Sequence, residues 1–183
     1  MIRKAIKAKR RISKKKQITE DSNSNKRPEN RDETKEESYA IFNVGNEKFA
    51  INLDSIKEIL HTFKIMTVPH LPELFSGIVK LRGESVPVVD LQNLLKESVT
   101  EVTIKPCLIT KLGDSSMGFL IDSDVSIITT EQFKLHPLPD CFTREEIEFL
   151  EGILWVDNTF VGVLKPREMV EILAQWRQEN EKI

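Results

Sequence analysis

Few side chains in this sequence could bind a metal ion or act as nucleophiles. The candidates are His61, His70, His136, Cys107 and Cys141. Their spacing does not match the closely spaced ligand pairs of the common zinc sites. A Gly-x-Ser-x-Gly turn is absent from the sequence, and neither cysteine lies in a catalytic signature. The sequence therefore predicts neither a metal site nor a nucleophilic catalyst, and the two thiols are interpreted as buried or unreactive.

Phosphate binding and acid–base chemistry have equally weak support. The segment Leu81-Arg82-Gly83-Glu84 lacks the further glycines and the lysine of a phosphate-binding loop. Acidic pairs, such as Glu145 with Glu146 and Asp122 with Asp124, are interpreted as solvated charges rather than catalytic carboxylates. We therefore expect a protein that is not an enzyme and that uses no cofactor.

Charge is distributed unevenly along the 183 residues. Residues 1–19 contain nine lysines and arginines and no acid. Residues 1–37 have a net charge of +6, and the formal net charge of the whole chain is −2, so residues 38–183 have a net charge of −8. Residues 1–37 also contain no aromatic residue, and such segments bury too little apolar surface to fold. We expect a disordered basic and polar leader over residues 1–37. It could bind an acidic partner, such as nucleic acid or anionic lipid, or it could simply be solvated.

From Ser38 onward, short apolar runs alternate with turn residues, a pattern typical of β-hairpins. Four hairpins are predicted, with turns at Gly45-Asn46, Arg82-Gly83-Glu84, Gly113-Asp114-Ser115-Ser116 and Asp157-Asn158. The second and fourth hairpins are each followed by the predicted start of a helix. The chain therefore contains an approximate repeat, in which each half comprises hairpin, connector, hairpin and helix.

Short strands with tight turns favour closed barrels, because closure removes unpaired sheet edges. We expect a mainly β domain over residues 38–176 made of two small antiparallel barrels. Subdomain one is predicted over about 38–95 with packing from the chain ends, subdomain two over about 107–164, and a C-terminal helix over 166–180. The apolar stripe of that helix comprises Met169, Ile172, Leu173 and Trp176. Trp155 is expected in a strand and in the core.

Apolar runs in this sequence are far shorter than the roughly 20 residues that cross a bilayer, so we expect no membrane span. A secretory signal is also absent, and the sequence indicates a cytoplasmic protein.

A conspicuous segment begins with a turn that contains Pro69 and Pro72. It continues as Gly77-Ile78-Val79-Lys80-Leu81-Arg82-Gly83 and then as Pro87-Val88-Val89-Asp90-Leu91. This segment resembles the signature of the chemotaxis coupling proteins, the CheW-like domain family, and the resemblance extends from about Ser38 to Trp176. It implies two SH3-like β-barrels with a helical cover and no catalytic activity. It also implies a scaffold that links the cytoplasmic tips of chemoreceptors to the regulatory domain of a CheA-type histidine kinase, in receptor arrays at the inner membrane face.

The resemblance further implies a partner-binding site. Arg82 matches the arginine of the motif, and Glu58 matches an acidic residue that faces it in the family, so we expect the two to pair near the receptor and kinase surfaces. Ile56, Ile59 and Leu60 are expected either to form an adjacent docking strip or to belong to the core.

Three alternative functions remain open from the sequence. The chain could couple a chemosensory pathway other than chemotaxis, such as one for gliding or pilus motility. It could bind nucleic acid through its basic leader, or it could sense a small molecule in a cleft between the barrels.

Overall fold

The computed structural model describes residues 37–72, 74–95, 97, 105–129, 133–140 and 142–180, although not the side chains of 144–146 and 174–180. The predicted leader, apart from Glu37, lies outside the described residues. Cys141 and the side chain of Trp176 also lie outside them.

The described residues form eleven β-strands and three α-helices. In chain order these are β1 (Ser38–Val44), β2 (Glu47–Asn52), a 3-10 helix (Leu53–Ser55), β3 (Ile56–Leu60), β4 (Ile65–Met66), β5 (Phe75–Leu81), β6 (Glu84–Asp90), α1 (Leu91–Leu94), β7 (Cys107–Leu112), β8 (Ser115–Leu120), β9 (Ser126–Thr129), α2 (Arg144–Phe149), β10 (Leu150–Val156), β11 (Thr159–Leu164) and α3 (Pro166–Asn180). The mainly β class, the four hairpins and the two helix starts are confirmed.

The strands form two sheets, which we call barrel A and barrel B. Barrel A has the strand order β10-β11-β2-β1-β9, and barrel B has the order β3-β7-β8-β6-β5-β4. Most neighbours are antiparallel, but β2 runs parallel to β11 and β6 runs parallel to β8. These two short parallel contacts join the hairpins within each barrel.

The two halves of the sequence repeat do not correspond to the two barrels. The first hairpin, β1–β2, pairs with the last hairpin, β10–β11, whereas β7–β8 pairs with the preceding β5–β6. The third strand of each half also crosses over, because β3 pairs with β7 and β9 pairs with β1. The predicted division into subdomains over 38–95 and 107–164 is therefore wrong for the sheets. A repeat gives the order of hairpins along the chain, but the pairing between hairpins depends on contacts distant in sequence.

Side-chain alternation along the strands explains why the two barrels pack together. Each barrel has its own apolar interior, with Tyr39, Ala50 and Leu154 in barrel A and Val79, Val88 and Ile109 in barrel B. The opposite faces meet in a larger shared cluster, which includes Phe42, Phe49, Ile51, Val89, Leu91, Leu108, Phe119, Leu164, Met169 and Leu173. Because that cluster draws on both sheets and on α1 and α3, the two barrels form one body.

The predicted stripe of the C-terminal helix is confirmed for its described side chains. Met169 and Leu173 are buried in the shared cluster, and Ile172 is half-buried. The prediction that Trp155 belongs to the core is wrong, because the residue is 42% exposed. Its ring packs edge-to-face on Phe160 across the β10–β11 hairpin.

Gly77 allows β4 to approach β5 closely. Its φ is +142°, and an added Cβ would lie 2.5 Å from the backbone oxygen of Met66. We expect Gly77→Ala to lower the free energy of unfolding by about 2 kcal/mol or more, because backbone strain and a backbone clash combine. Gly83→Ala is the matched control, since Gly83 also has positive φ but no heavy atom within 4 Å of an added Cβ. Equal losses for the two variants in urea denaturation would contradict the role of the close approach.

Cys107 lies at the start of β7 in the interior of barrel B and is fully buried. Burial raises the pKa of its thiol to about 12. In a Cys141→Ser variant, we expect iodoacetamide at about pH 8 to leave the native protein unlabelled and to label it once urea unfolds the barrel. Mass spectrometry measures the labelled fraction, and rapid labelling of the native protein would contradict this burial.

Candidate functional site

Arg82 lies at the tip of the β5–β6 hairpin in an uncommon backbone conformation. Arg82 and Gly83 have φ values of 49° and 92°, the pattern of a type I′ turn, in which asparagine is favoured over arginine. The Arg82 guanidinium lies 3.2 Å from Glu58 Oε2, and the predicted pairing of these residues is therefore present. Arg82 is 78% exposed and Glu58 29% exposed, so the guanidinium remains accessible from solvent.

A second ion pair lies beside the first. Lys57 Nζ is 3.0 Å from Glu84 Oε2 and also donates to Ser116 Oγ at 3.3 Å. Both pairs join β3 to the β5–β6 hairpin, although three strands separate β3 from β5 in the order of the sheet. Curvature of barrel B thus brings β3 to the hairpin tip, and we call Lys57, Glu58, Arg82 and Glu84 the Arg82 surface.

The three apolar residues expected as a docking strip all lie in β3, but they do not share one environment. Ile56 and Ile59 pack against the shared cluster, whereas Leu60 packs against the interior of barrel B. An irregularity in the β3–β7 pairing between Ile56 and Glu58 lets the two isoleucines lie toward the same cluster. All three are half-buried, so each contributes to the core as well as to the surface beside Glu58.

A buried charged network near the two parallel contacts was not anticipated from the sequence. Lys105 Nζ lies 2.8 Å from Asp90 Oδ2, 3.0 Å from Asp122 Oδ1 and 3.0 Å from Gln92 Oε1. The Asp122 side chain is only 3% exposed, so the interpretation of Asp122 as a solvated charge is wrong. Asp90 ends β6, and Asp122 follows β8 by two residues; the parallel pairing of β6 with β8 brings both carboxylates to the same end.

This network also connects the two barrels. The backbone N–H of Gly45, in the β1–β2 turn of barrel A, donates to Asp122 Oδ2 at 2.6 Å. Burial alone would lower the pKa of Lys105, but hydrogen bonds and charge from Asp90 and Asp122 outweigh it and raise the pKa above its ordinary value. Lys105 is therefore a cation at neutral pH that compensates two carboxylates at the junction of the barrels.

Among the residues that the structure describes, there is no group of three or more His, Cys, Asp or Glu side chains that could hold a metal ion. In the same part of the chain, no helix combines the length and the apolar character required to span a bilayer.

Comparison with known proteins agrees with this architecture. The family model described as CheW-like domain matches residues 38–173. The chemotaxis protein CheW of Rhizobium meliloti is 27% identical over 125 residues, which cover 68% of this chain and 81% of that protein. The chemotaxis protein CheW of Thermotoga maritima is 26% identical over 142 residues, which cover 76% and 91%. The crystal structure of the scaffolding protein TtCheW from Thermoanaerobacter tengcongensis superposes with a TM-score of 0.62 at 21% identity, covering 74% of this chain and 92% of that one. Since the family model spans both barrels and the start of α3, this chain belongs to the CheW-like domain family.

Proposed function

We propose that this protein is a non-catalytic adaptor that couples chemoreceptors to a CheA-type histidine kinase in a chemosensory array. The observation that carries the proposal is the match of the family model to the whole two-barrel body, residues 38–173. Relatives of this chain are described as chemotaxis proteins, and the solved neighbour is described as a scaffolding protein. In this proposal the chain acts in the cytoplasm, at the inner face of the membrane that holds the receptors.

An adaptor of this kind needs at least two different surfaces, one for each partner. The two barrels have similar strand orders but different hairpin tips, with Arg82-Gly83 on barrel B and Asp157-Asn158 on barrel A. One folded body therefore presents two surfaces of different charge, which suits a heterologous assembly.

We assign the Arg82 surface to contact with the regulatory domain of the kinase. An exposed ion pair contributes only about 0–1 kcal/mol to stability, so the Arg82–Glu58 pair is better explained by orientation of the guanidinium than by stabilisation. Arginine presents several donors in a planar fork, which suits recognition of carboxylates and backbone carbonyls on a protein partner. Ile56, Ile59 and Leu60 would add apolar area beside this polar contact, as in interfaces where buried apolar anchors are surrounded by a polar rim.

The experiment that tests the proposal is a calorimetric titration of the full-length protein with the regulatory domain of a CheA-type kinase from the same cell. We expect saturable binding that a variant lacking residues 1–37 retains, because the proposed surfaces lie in the two barrels. Lack of binding by both forms would contradict the kinase as the partner. A parallel titration with a receptor cytoplasmic fragment tests the second partner independently.

A further inference from the structure

The two barrels provide an internal comparison of equivalent hairpins. In both β5–β6 and β10–β11 the pairing is irregular just before a glycine, Gly77 or Gly152, and both hairpins end in a two-residue turn with positive φ. Counting from these turns, Lys80 and Ser85 of barrel B occupy the same cross-strand positions as Trp155 and Phe160 of barrel A.

The side chains at these equivalent positions differ in kind. On barrel B, Lys80 Nζ donates to Ser85 Oγ at 2.8 Å, and both residues are exposed. On barrel A, the rings of Trp155 and Phe160 have centroids 4.2 Å apart at an angle of 74°. Since barrel B forms the same hairpin with a polar pair, the hairpin itself does not require an aromatic pair. Phe160 is half-buried and packs against the shared cluster, so it also serves the fold, whereas the exposed indole of Trp155 is better explained by binding.

The aromatic pair borders an apolar depression with an acidic residue at its margin. Phe160 lines a shallow pocket together with Phe49, Phe142, Leu150, Ile153, Gly162, Glu47 and Lys48. Asp157 is exposed at the turn, two residues after Trp155. We call Trp155, Phe160, Glu47 and Asp157 the Trp155 surface; it combines aromatic faces with two carboxylates.

We propose that the Trp155 surface binds residues 1–19 of the same chain, the basic part of the leader. Residues 1–19 contain nine lysines and arginines and no acid. Cations stack favourably on indole faces, and the carboxylates of Glu47 and Asp157 add attraction that exceeds the repulsion from the neighbouring Lys48. At the position of Trp155, the equivalent hairpin of barrel B carries Lys80, which offers this segment a like charge and no aromatic face.

The connection between the leader and barrel A is long enough for this contact. Residue 37 precedes β1, which lies three strand spacings from β10, about 14 Å across the sheet. The register places Trp155 level with the opposite end of β1, near Val44, which adds roughly 20 Å along the strands and makes the separation roughly 25 Å. A flexible chain of the length of residues 20–36 has a root-mean-square span of roughly 20–25 Å. The leader therefore reaches the Trp155 surface of its own molecule at a high effective concentration.

Paramagnetic NMR on the full-length chain tests this proposal. A nitroxide is attached at Ser13→Cys in a Cys141→Ser background, where buried Cys107 is not labelled. At low ionic strength we expect loss of most of the Trp155 indole N–H signal, and at about 1 M salt we expect the signal to return because screening removes the charge attraction. An unchanged Trp155 signal at low ionic strength would overturn the proposal.

Two matched variants keep the test specific. Trp155→Lys with Phe160→Ser gives barrel A the pair found on barrel B. Because this variant lacks the Trp155 indole signal, the neighbouring amide signals of Thr159 and Gly162 are the reporters. We expect the nitroxide to broaden these two signals in the chain with Trp155 and Phe160 and not in the variant. Replacement of Lys14, Lys15 and Lys16 by glutamate leaves the barrels unchanged and should also abolish broadening of the Trp155 signal. Persistence of the broadening in either variant would overturn the assignment. A mixture of two samples tests for binding between molecules: one protein carries the nitroxide and no nitrogen-15, and the other carries nitrogen-15 and no nitroxide. Broadening in this mixture would indicate binding between molecules and would overturn binding within one chain.

Discussion

Replacement of Lys105 by methionine is expected to lower the free energy of unfolding by about 3–5 kcal/mol, the usual cost of removing one partner from a buried ion pair. The reason is that Asp90 and Asp122 would lose their cationic partner at a site where the Lys105 side chain is only 15% exposed. Urea denaturation followed by far-ultraviolet circular dichroism measures the loss. We expect the urea concentration at the midpoint to fall. The slope of the unfolding free energy against urea concentration should stay the same, because the same surface becomes exposed on unfolding.

Lys111→Met is the matched control for this variant. Lys111 lies in β7, is exposed, and makes a single long hydrogen bond of 3.4 Å to the backbone oxygen of Asp54. Its replacement should change stability by no more than about 0.5 kcal/mol. Equal midpoints for the two variants would contradict a stabilising role for the Lys105 network.

The same network has a defined pH dependence. The pKa of Lys105 is higher in the folded protein than its ordinary value of 10.5. Its contribution is therefore fully present below pH 10.5 and is lost as the pH rises through the folded value. The difference in stability between wild type and Lys105→Met should accordingly be constant from neutral pH to about pH 9 and should shrink only in stronger alkali.

Arg82→Asn is expected to weaken binding to the kinase regulatory domain by at least about tenfold, equivalent to about 1.4 kcal/mol, while leaving the fold intact. Asparagine tolerates the positive φ of 49° found at this position better than arginine does. The relief of backbone strain should offset the loss of an exposed ion pair, so stability should stay within about 1 kcal/mol of wild type. Calorimetric titration and urea denaturation measure the two effects separately.

A charge exchange separates two roles for Arg82. Arg82→Glu combined with Glu58→Arg restores an ion pair but moves the guanidinium to β3. If the guanidinium contacts the partner directly, the double variant should bind as weakly as Arg82→Asn. Recovery of full affinity by the double variant would show that only the ion pair matters. Lys111→Asn is the exposed control and should bind like wild type. If Arg82→Asn also binds like wild type, a role for Arg82 is contradicted.

Local features of this protein were predictable from the sequence because a few adjacent residues determine them. Glycine and asparagine set the turns at Gly45-Asn46 and Asp157-Asn158, apolar alternation sets the strands, and Pro166 begins the last helix. The signature segment indicated the family and, through the resemblance, the pairing of Arg82 with Glu58, which the structure shows at 3.2 Å.

Only the tertiary structure decided which hairpins pair, which polar groups are buried and which aromatic residues are exposed. The exchange of hairpins between the two halves places Asp90 and Asp122 beside Lys105, three residues that the sequence separates by up to 32 positions. The pleat of β3 directs the adjacent residues Ile59 and Leu60 to opposite faces, and the packing of the sheets places these faces in two different apolar clusters and leaves Trp155 outside both. The physical reason is that turns and strands follow from the backbone preferences of a few adjacent residues. The pairing of one hairpin with another depends on which arrangement buries their apolar faces, and that depends on the whole chain.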